Sequence, residues 1–267
     1  MSATGARAEL VERDDALASL VALVEDACES RGRLAFLGGE AGVGKTTLLG
    51  AVPALAAGRL LVRRGHCDNV TTPAPLGPFA DATPELGELL DDDSLSRPRL
   101  FRRLRALLTQ VPTLLLLEDV HWADEATLDL LRYLGRRVGE DRLLIVATYR
   151  SDDVAGPHPL ALLRGDLATV DAVRAVDLRP LGEAGVAELV RRAGSSLDPG
   201  QVHRSTGGNP FFVTELLAVG ADELPPTVRD AVLARAARLS AGANAVLAAA
   251  AVIGPRCPVD LLLAASG

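Results

Sequence analysis

The stretch "GEAGVGKTT", Gly39 to Thr47, follows the apolar run "RLAFLG" and leads into "LLGAVPALAA". Lys45 inside it is the chain's only lysine, and every other basic residue among the 28 Lys plus Arg is arginine. Gly39, Gly44, Lys45 and Thr46 satisfy the spacing G-x-x-x-x-G-K-[ST]. The run before them reads as a buried strand and the run after them as a helix. Glycines in such a connection let backbone N–H groups turn inward and cradle phosphate oxygens. The helix N-terminus adds its partial positive charge. A compact ammonium on a flexible stem suits the inside of such a loop better than a planar guanidinium fork, which accounts for the solitary lysine. The expected phosphate-binding set is Gly39, Glu40, Ala41, Gly42, Val43, Gly44, Lys45, Thr46 and Thr47. Lys45 is expected at the β- and γ-phosphates and the Thr46 hydroxyl on Mg²⁺.

"TLLLLED" (Thr113 to Asp119) is a continuous apolar strand tipped by two acids. A strand of this form, a Walker B strand, ends beside a phosphate loop and offers carboxylates to Mg²⁺ and to an attacking water. Glu118 and Asp119 are both candidates for metal partner and for water positioning; the first position is more often Asp, and here it is Glu. Arg150 follows the next buried run, "RLLIVATYR", where a cation can sense a γ-phosphate.

Around these motifs, helical spacing runs from Asp14 to Ser30, and strands are predicted at Arg59–Gly65, Arg142–Arg150 and Ala172–Leu178. His66 to Pro98 reads as largely irregular, with room for one or two short helices. Helices are predicted over Arg99–Val111, ended by Pro112, and over Asp124–Val138, with Asp124 as cap. Short apolar strands alternating with helices imply a parallel sheet covered on both faces, an α/β P-loop NTPase architecture. Composition shifts after Leu178 to helices without strands. The predicted organisation is a nucleotide-binding domain over 1–178, a small helical domain over 179–222, and the start of a winged-helix-like unit over 223–267 that reads as cut short, as in a fragment or truncated relative.

Bulk properties narrow the partners. The 267 residues carry a net charge of −7, whereas a protein that grips a nucleic-acid backbone is expected to present a basic surface. Cys28, Cys67 and Cys257 are widely spaced and odd in number, without metal-ligand or disulfide pattern. A reducing cytoplasm is expected, with no signal peptide and no membrane span. Cys67 is expected to be inert. His66, His158 and His203 show no ligand spacing and read as structural or surface residues.

"LVERDDAL", "GEAGVGKTTLL", "LLLLEDVHWADEATLDLL", "LLIVATYRSDD" and "GGNPFFVTELL" occur in that order. Together they resemble the AAA-type ATPase module of STAND-class signalling proteins, above all the module of large LuxR-type transcriptional regulators. The resemblance covers nearly the whole chain; "EDVHWAD" and "GGNPFF" are its specific parts. It implies an ATP/ADP-dependent switch between closed and open forms, with slow hydrolysis. It places Val11 and Arg13 near the adenine, although Glu12 stands where the family usually has Gly. Pro210 matches a family proline that touches the base from the helical domain, and "GNP" also reads as a helix start with Asn209 as cap. His121 and Trp122 resemble family residues after the acid strand, with Trp122 equally readable as core. Self-association or protein partners are implied, and no operator binding by this chain alone. Two other readings are a nucleotide-gated interaction module with little hydrolysis and an origin-recognition-like ATPase that handles DNA. A small-molecule kinase lacks an acceptor-site motif.

Overall fold

The computed structural model describes residues 10–90, 95–154, 156–219, 229–230, 233, 236–237, 239–253 and 258. Five strands form one parallel sheet: β1 (Arg33–Gly38), β2 (Leu61–His66), β3 (Thr113–Glu118), β4 (Leu143–Thr148) and β5 (Val173–Asp177). Their order is β2-β3-β4-β1-β5. The phosphate-loop strand β1 and the acid-tipped strand β3 are therefore not neighbours; β4 lies between them. Loops leaving β1 and β3 flank the end of β4, and the crevice beyond the carboxyl ends of such strands is where α/β sheets bind ligands.

Strand composition sets the layers. β4 is buried at all six positions and β3 at its first five, as expected for central strands covered on both sides. Side chains alternate between the two faces. Ala35, Leu37, Leu114, Leu116, Leu144 and Val146 pack with helices α1 (Asp14–Cys28) and α2 (Lys45–Ala56). Leu34, Phe36, Leu115, Leu117, Leu143 and Ile145 face the opposite layer. That layer holds α3 (Gly77–Ala82), α4 (Leu86–Leu90), α5 (Arg97–Thr109), α6 (Glu125–Gly135) and α7 (Pro159–Leu167). Burying one such leucine contributes roughly 1.5–3 kcal/mol, so these two layers dominate the stability of the sheet domain.

The segment read as largely irregular holds α3 and α4, two helices of only six and five residues. They are too short to carry a helical period in sequence. Their placement depends instead on close approach to β2. A Cβ at Gly65 would lie 1.7 Å from the Pro78 carbonyl oxygen, so backbone meets backbone there. Gly65→Ala is expected to lower stability by roughly 2–4 kcal/mol by forcing the α3 entry away from the sheet; thermal unfolding measures it, and an unchanged midpoint would contradict that contact. Asp124 caps α6, accepting from the Thr127 N–H at 3.0 Å, and its other oxygen accepts from the Leu76 N–H at 3.2 Å. One carboxylate thus fixes both the helix after the acid strand and the loop before α3.

Beyond β5 the described residues form α8 (Glu183–Arg192), α9 (Pro199–Thr206) and α10 (Pro210–Val219) around a small core of Leu181, Val186, Val190, Val202 and Val213. A further helix, α11 (Ala241–Ile253), is described within 223–267. The remainder of the expected winged-helix-like start lies mostly outside the described residues. Among them no helix is long and apolar enough to cross a membrane.

Candidate functional site

The loop from Gly39 to Gly44 turns because its glycines take positive φ. Gly39, Gly42 and Gly44 stand at 150°, 82° and 98°, a region that side chains disfavour. Val43 is the loop's anchor, fully buried in the α1–α2 layer, while Glu40 is exposed. Lys45, 8% exposed, opens α2 and folds back over the loop, donating from Nζ to the carbonyls of Gly39 (2.8 Å) and Glu40 (2.7 Å). Burial pushes its pKa down, and the nearby Asp119 carboxylate opposes that shift.

A cleft of about 390 Å³ lies over this loop, lined by Ala41, Gly42, Gly44, Lys45, Thr46, Thr47, Asp119, Arg150, Pro210, Phe211 and Thr214. Its size is within the ordinary range of small-molecule sites. Three parts of the chain, far apart in sequence, meet in it: the phosphate loop, the ends of β3 and β4, and the start of α10. Asp119 stands in the left-handed region at φ 55°, and its N–H donates to Thr148 Oγ1 at 3.0 Å. Arg150 lies with Nε 3.9 Å from Asp119 Oδ1 and its guanidinium carbon 4.7 Å from the centroid of the Trp122 ring. Trp122 is half-buried and packs against the core beneath, so it serves both as core and as a platform for Arg150.

Not every sequence-predicted residue reaches the cleft. Glu118 is absent from its lining and has Arg64 as its ionic neighbour, Nη1 to Oε1 at 3.9 Å. Glu118 is the last residue of β3, whereas Asp119 has left the strand in the left-handed conformation, so the two adjacent acids diverge. Arg13 is buried behind the loop, donating from Nη2 to the Val43 carbonyl at 2.9 Å. It also lines a second cleft of about 670 Å³ with Glu12, Asp14, Asp177 and Leu178. Val11 packs on the core of the helical domain. Glu12 itself has φ 52°, a conformation natural to glycine, the residue that the sequence resemblance leads one to expect there. Its carboxylate accepts from the Gly182 N–H at 2.7 Å, at the start of α8, where a negative charge meets the positive end of the helix.

Sequence reasoning overlooked Phe211 and Thr214, and the manner in which "GGNPFF" meets the loop. Asn209 Nδ2 donates to the Ala41 carbonyl at 2.9 Å. The Phe211 N–H is shared between the Gly42 carbonyl (3.2 Å) and Asn209 Oδ1 (3.1 Å). Asn209 therefore acts at the helix start and as a strap to the phosphate loop. A Cβ at Gly42 would come within 2.8 Å of Asn209 Oδ1 and of Phe211 Cβ, so the loop glycine also admits the second domain. The sequence showed only the run Asn209-Pro210-Phe211, which reads as a helix start and does not announce a contact with the loop.

The remaining candidates hold structural positions. His158 Nδ1 accepts from the Leu160 N–H at 3.1 Å and caps α7. His66 is exposed at the end of β2, and His203 lies within α9. Cys67 is buried, and burial pushes its thiol up to about 12. Because the thiolate is the reactive form, iodoacetamide at pH 8 is expected to label half-buried Cys28 in the native protein and Cys67 only after unfolding; peptide mass mapping distinguishes them. No group of three or more metal-ligating His, Cys, Asp or Glu side chains occurs among the described residues.

A glycine-turned loop between buried β1 and α2, faced across β4 by an acid-tipped strand on a parallel sheet, defines a P-loop NTPase-like fold. The "AAA ATPase domain" family matches residues 9–146, and the chain belongs to it. No curated protein matches. Among solved structures, the ORC1 protein of Aeropyrum pernix in complex with DNA is similar, with a TM-score of 0.51 at 16% identity, over 96% of this chain and 77% of that one. The RuvB branch-migration motor of Thermotoga maritima gives a TM-score of 0.47 at 16% identity, over 96% of this chain and 68% of that one. A STAND protein of Pyrococcus horikoshii with a tetratricopeptide repeat sensor gives 0.48 at 16% identity, over 84% of this chain but 33% of that one. At such identities the ORC1 likeness establishes the fold alone.

Proposed function

We propose that this AAA-type ATPase module is an ATP- and Mg²⁺-dependent signalling switch, of the kind that large LuxR-type transcriptional regulators carry. One observation carries the reading: α10 of the helical unit bonds directly to the phosphate loop, and both line one cleft. A ligand there touches both units, so their relative angle depends on what is bound. The units are taken as 1–178 and 179–222.

The residues present fit a nucleoside triphosphate. The loop's glycine backbone and the α2 N-terminus suit an anion. The Lys45 amine, held only by two carbonyls, can exchange them for phosphate oxygens. Thr46 and Asp119 supply the hard oxygen donors that Mg²⁺ takes, and the ion when bound neutralises charge on the phosphates. Pro210 and Phe211 offer apolar surface to the nucleoside, with Val11 and Arg13 approaching from behind the loop. Arg150 senses the terminal phosphate, and Asp119 orients the attacking water. Loss of that phosphate removes the hold of Lys45 and Arg150 and frees the closed arrangement.

Slow hydrolysis is the primary reading. A nucleotide-gated module with little turnover is favoured by one feature: Asp119 alone of the two acids faces the cleft, so metal binding and water orientation compete for one carboxylate. Direct DNA handling is disfavoured by the net charge of −7. Protein partners or self-association, in a cytoplasmic setting, complete the proposal. Hydrogen exchange at the Asn209 and Phe211 amides, compared between ATP and ADP, tests the switch. Protection is expected to be greater with ATP; equal protection in both states would remove it. Phosphate release measured on the same samples separates the two variants of the reading.

A further inference from the structure

The His121 side chain is 1% exposed, and neither ring nitrogen has a hydrogen-bond partner among the described residues. Buried polar groups are nearly always paired, and each exception calls for an explanation. The ring tilts against Trp122 with centroids 4.5 Å apart, so packing fixes its plane. Nδ1 then faces Asp119 Oδ1 at 3.8 Å, and Nε2 faces Asp153 Oδ2 at 3.4 Å. Arg150 closes the circuit, with Nε 3.9 Å from Asp119 Oδ1 and Nη1 3.9 Å from Asp153 Oδ2. Four groups are gathered at 3.4–3.9 Å with no hydrogen bond made between them. Such contacts commonly tighten only when a ligand is bound.

The chemistry of the ring decides what tightening means. A neutral imidazole has one N–H donor, and carboxylates are acceptors only. His121 can therefore serve Asp119 or Asp153, not both, while Arg150 can serve either. Resting on the ATP–Mg²⁺ reading, we propose that His121 is a positioning residue for Asp119. When Arg150 turns to the terminal phosphate, the Nδ1–H of His121 becomes the remaining donor to the Asp119 carboxylate and holds it toward Thr46. The opposite nitrogen is then an acceptor facing the Asp153 carboxylate, so Asp153 gains no bond from His121 as the cleft fills, while the Ser151 N–H remains bonded to the Gly39 carbonyl at 3.2 Å. His121 thus links the cleft to the Ser151–Val154 segment without touching nucleotide.

Calorimetric titration of ATP with and without Mg²⁺ tests this, using the wild type, Lys45→Ala, His121→Ala, His121→Asn and His121→Gln. An asparagine amide sits near the Nδ1 position and a glutamine amide near Nε2. His121→Ala is expected to lose about tenfold of the affinity that Mg²⁺ adds, as partners of metal ligands typically do, with the Mg²⁺-free affinity within about twofold of wild type. Asparagine is expected to restore the Mg²⁺ gain and glutamine to leave it lost; if the alanine variant melts, this contrast carries the test. A full Mg²⁺ gain in His121→Ala, or equal recovery by both amides, would overturn the proposal. Should the wild type bind ATP and Lys45→Ala not, either result leaves the nucleotide reading standing. If the wild type binds no ATP, both fall together.

Discussion

Lys45→Ala is expected to weaken ATP–Mg²⁺ binding by about 100-fold, on the order of 3 kcal/mol, the upper range for hydrogen bonds to a charged partner. The amine is the one long cation rooted inside the loop, and its two bonds, to Gly39 and Glu40, are made to neutral carbonyls. Exchanging those for phosphate oxygens converts ordinary contacts into ion-paired ones at an amine that is itself largely buried. The fold does not depend on it to the same degree. Truncation removes two hydrogen bonds but also relieves the burial of a charge, so the melting temperature is expected to move by only a few degrees. Lys45→Arg is not expected to rescue binding, because a planar fork needs more room than this buried position gives. Calorimetry of the three proteins measures it; affinity unchanged in the alanine variant would show that the ligand lies elsewhere.

Asp119→Asn is the second large effect. Phosphate release is expected to fall about 100-fold or more, the scale on which positioned electrostatic groups contribute, while nucleotide binding stays within about tenfold. Asparagine tolerates the left-handed backbone that Asp119 adopts, and the N–H bond to Thr148 is independent of the side chain. The loss is therefore chemical and not a folding failure. Glu118→Gln is expected to cost far less, because that side chain leans toward Arg64 and outside the cleft. A larger loss at Glu118 would reverse the assignment of the two acids.

The contrast between those acids shows what was legible in the sequence. The strands were readable because central parallel strands are continuous apolar runs; β3 and β4 lie within the stretches "TLLLLED" and "RLLIVATYR". The edge strand β2 begins two residues later than its apolar pattern suggests, and its first residues, Leu61 and Val62, are substantially exposed. Glycine spacing announced the loop because the geometry of Gly39, Gly42 and Gly44 demands it. Which of two adjacent carboxylates faces the cleft was not legible, since both end one strand and only the turn after it decides. The strap from Asn209 to the loop was equally hidden: it joins positions separated by 168 residues. Glu12 is the reverse case. Its departure from the glycine that the resemblance leads one to expect was visible, but the reason for the glycine, a positive φ, and the use of the carboxylate at α8 came only with the fold.

The most direct test is a crystal structure with Mg²⁺ and a non-hydrolysable ATP analogue. The phosphate chain is expected across the Gly42–Thr46 amides, with Lys45 turned away from the Gly39 and Glu40 carbonyls and Phe211 against the nucleoside. Nucleotide bound outside this cleft, or Lys45 still bonded to its two carbonyls with the analogue in place, would contradict it.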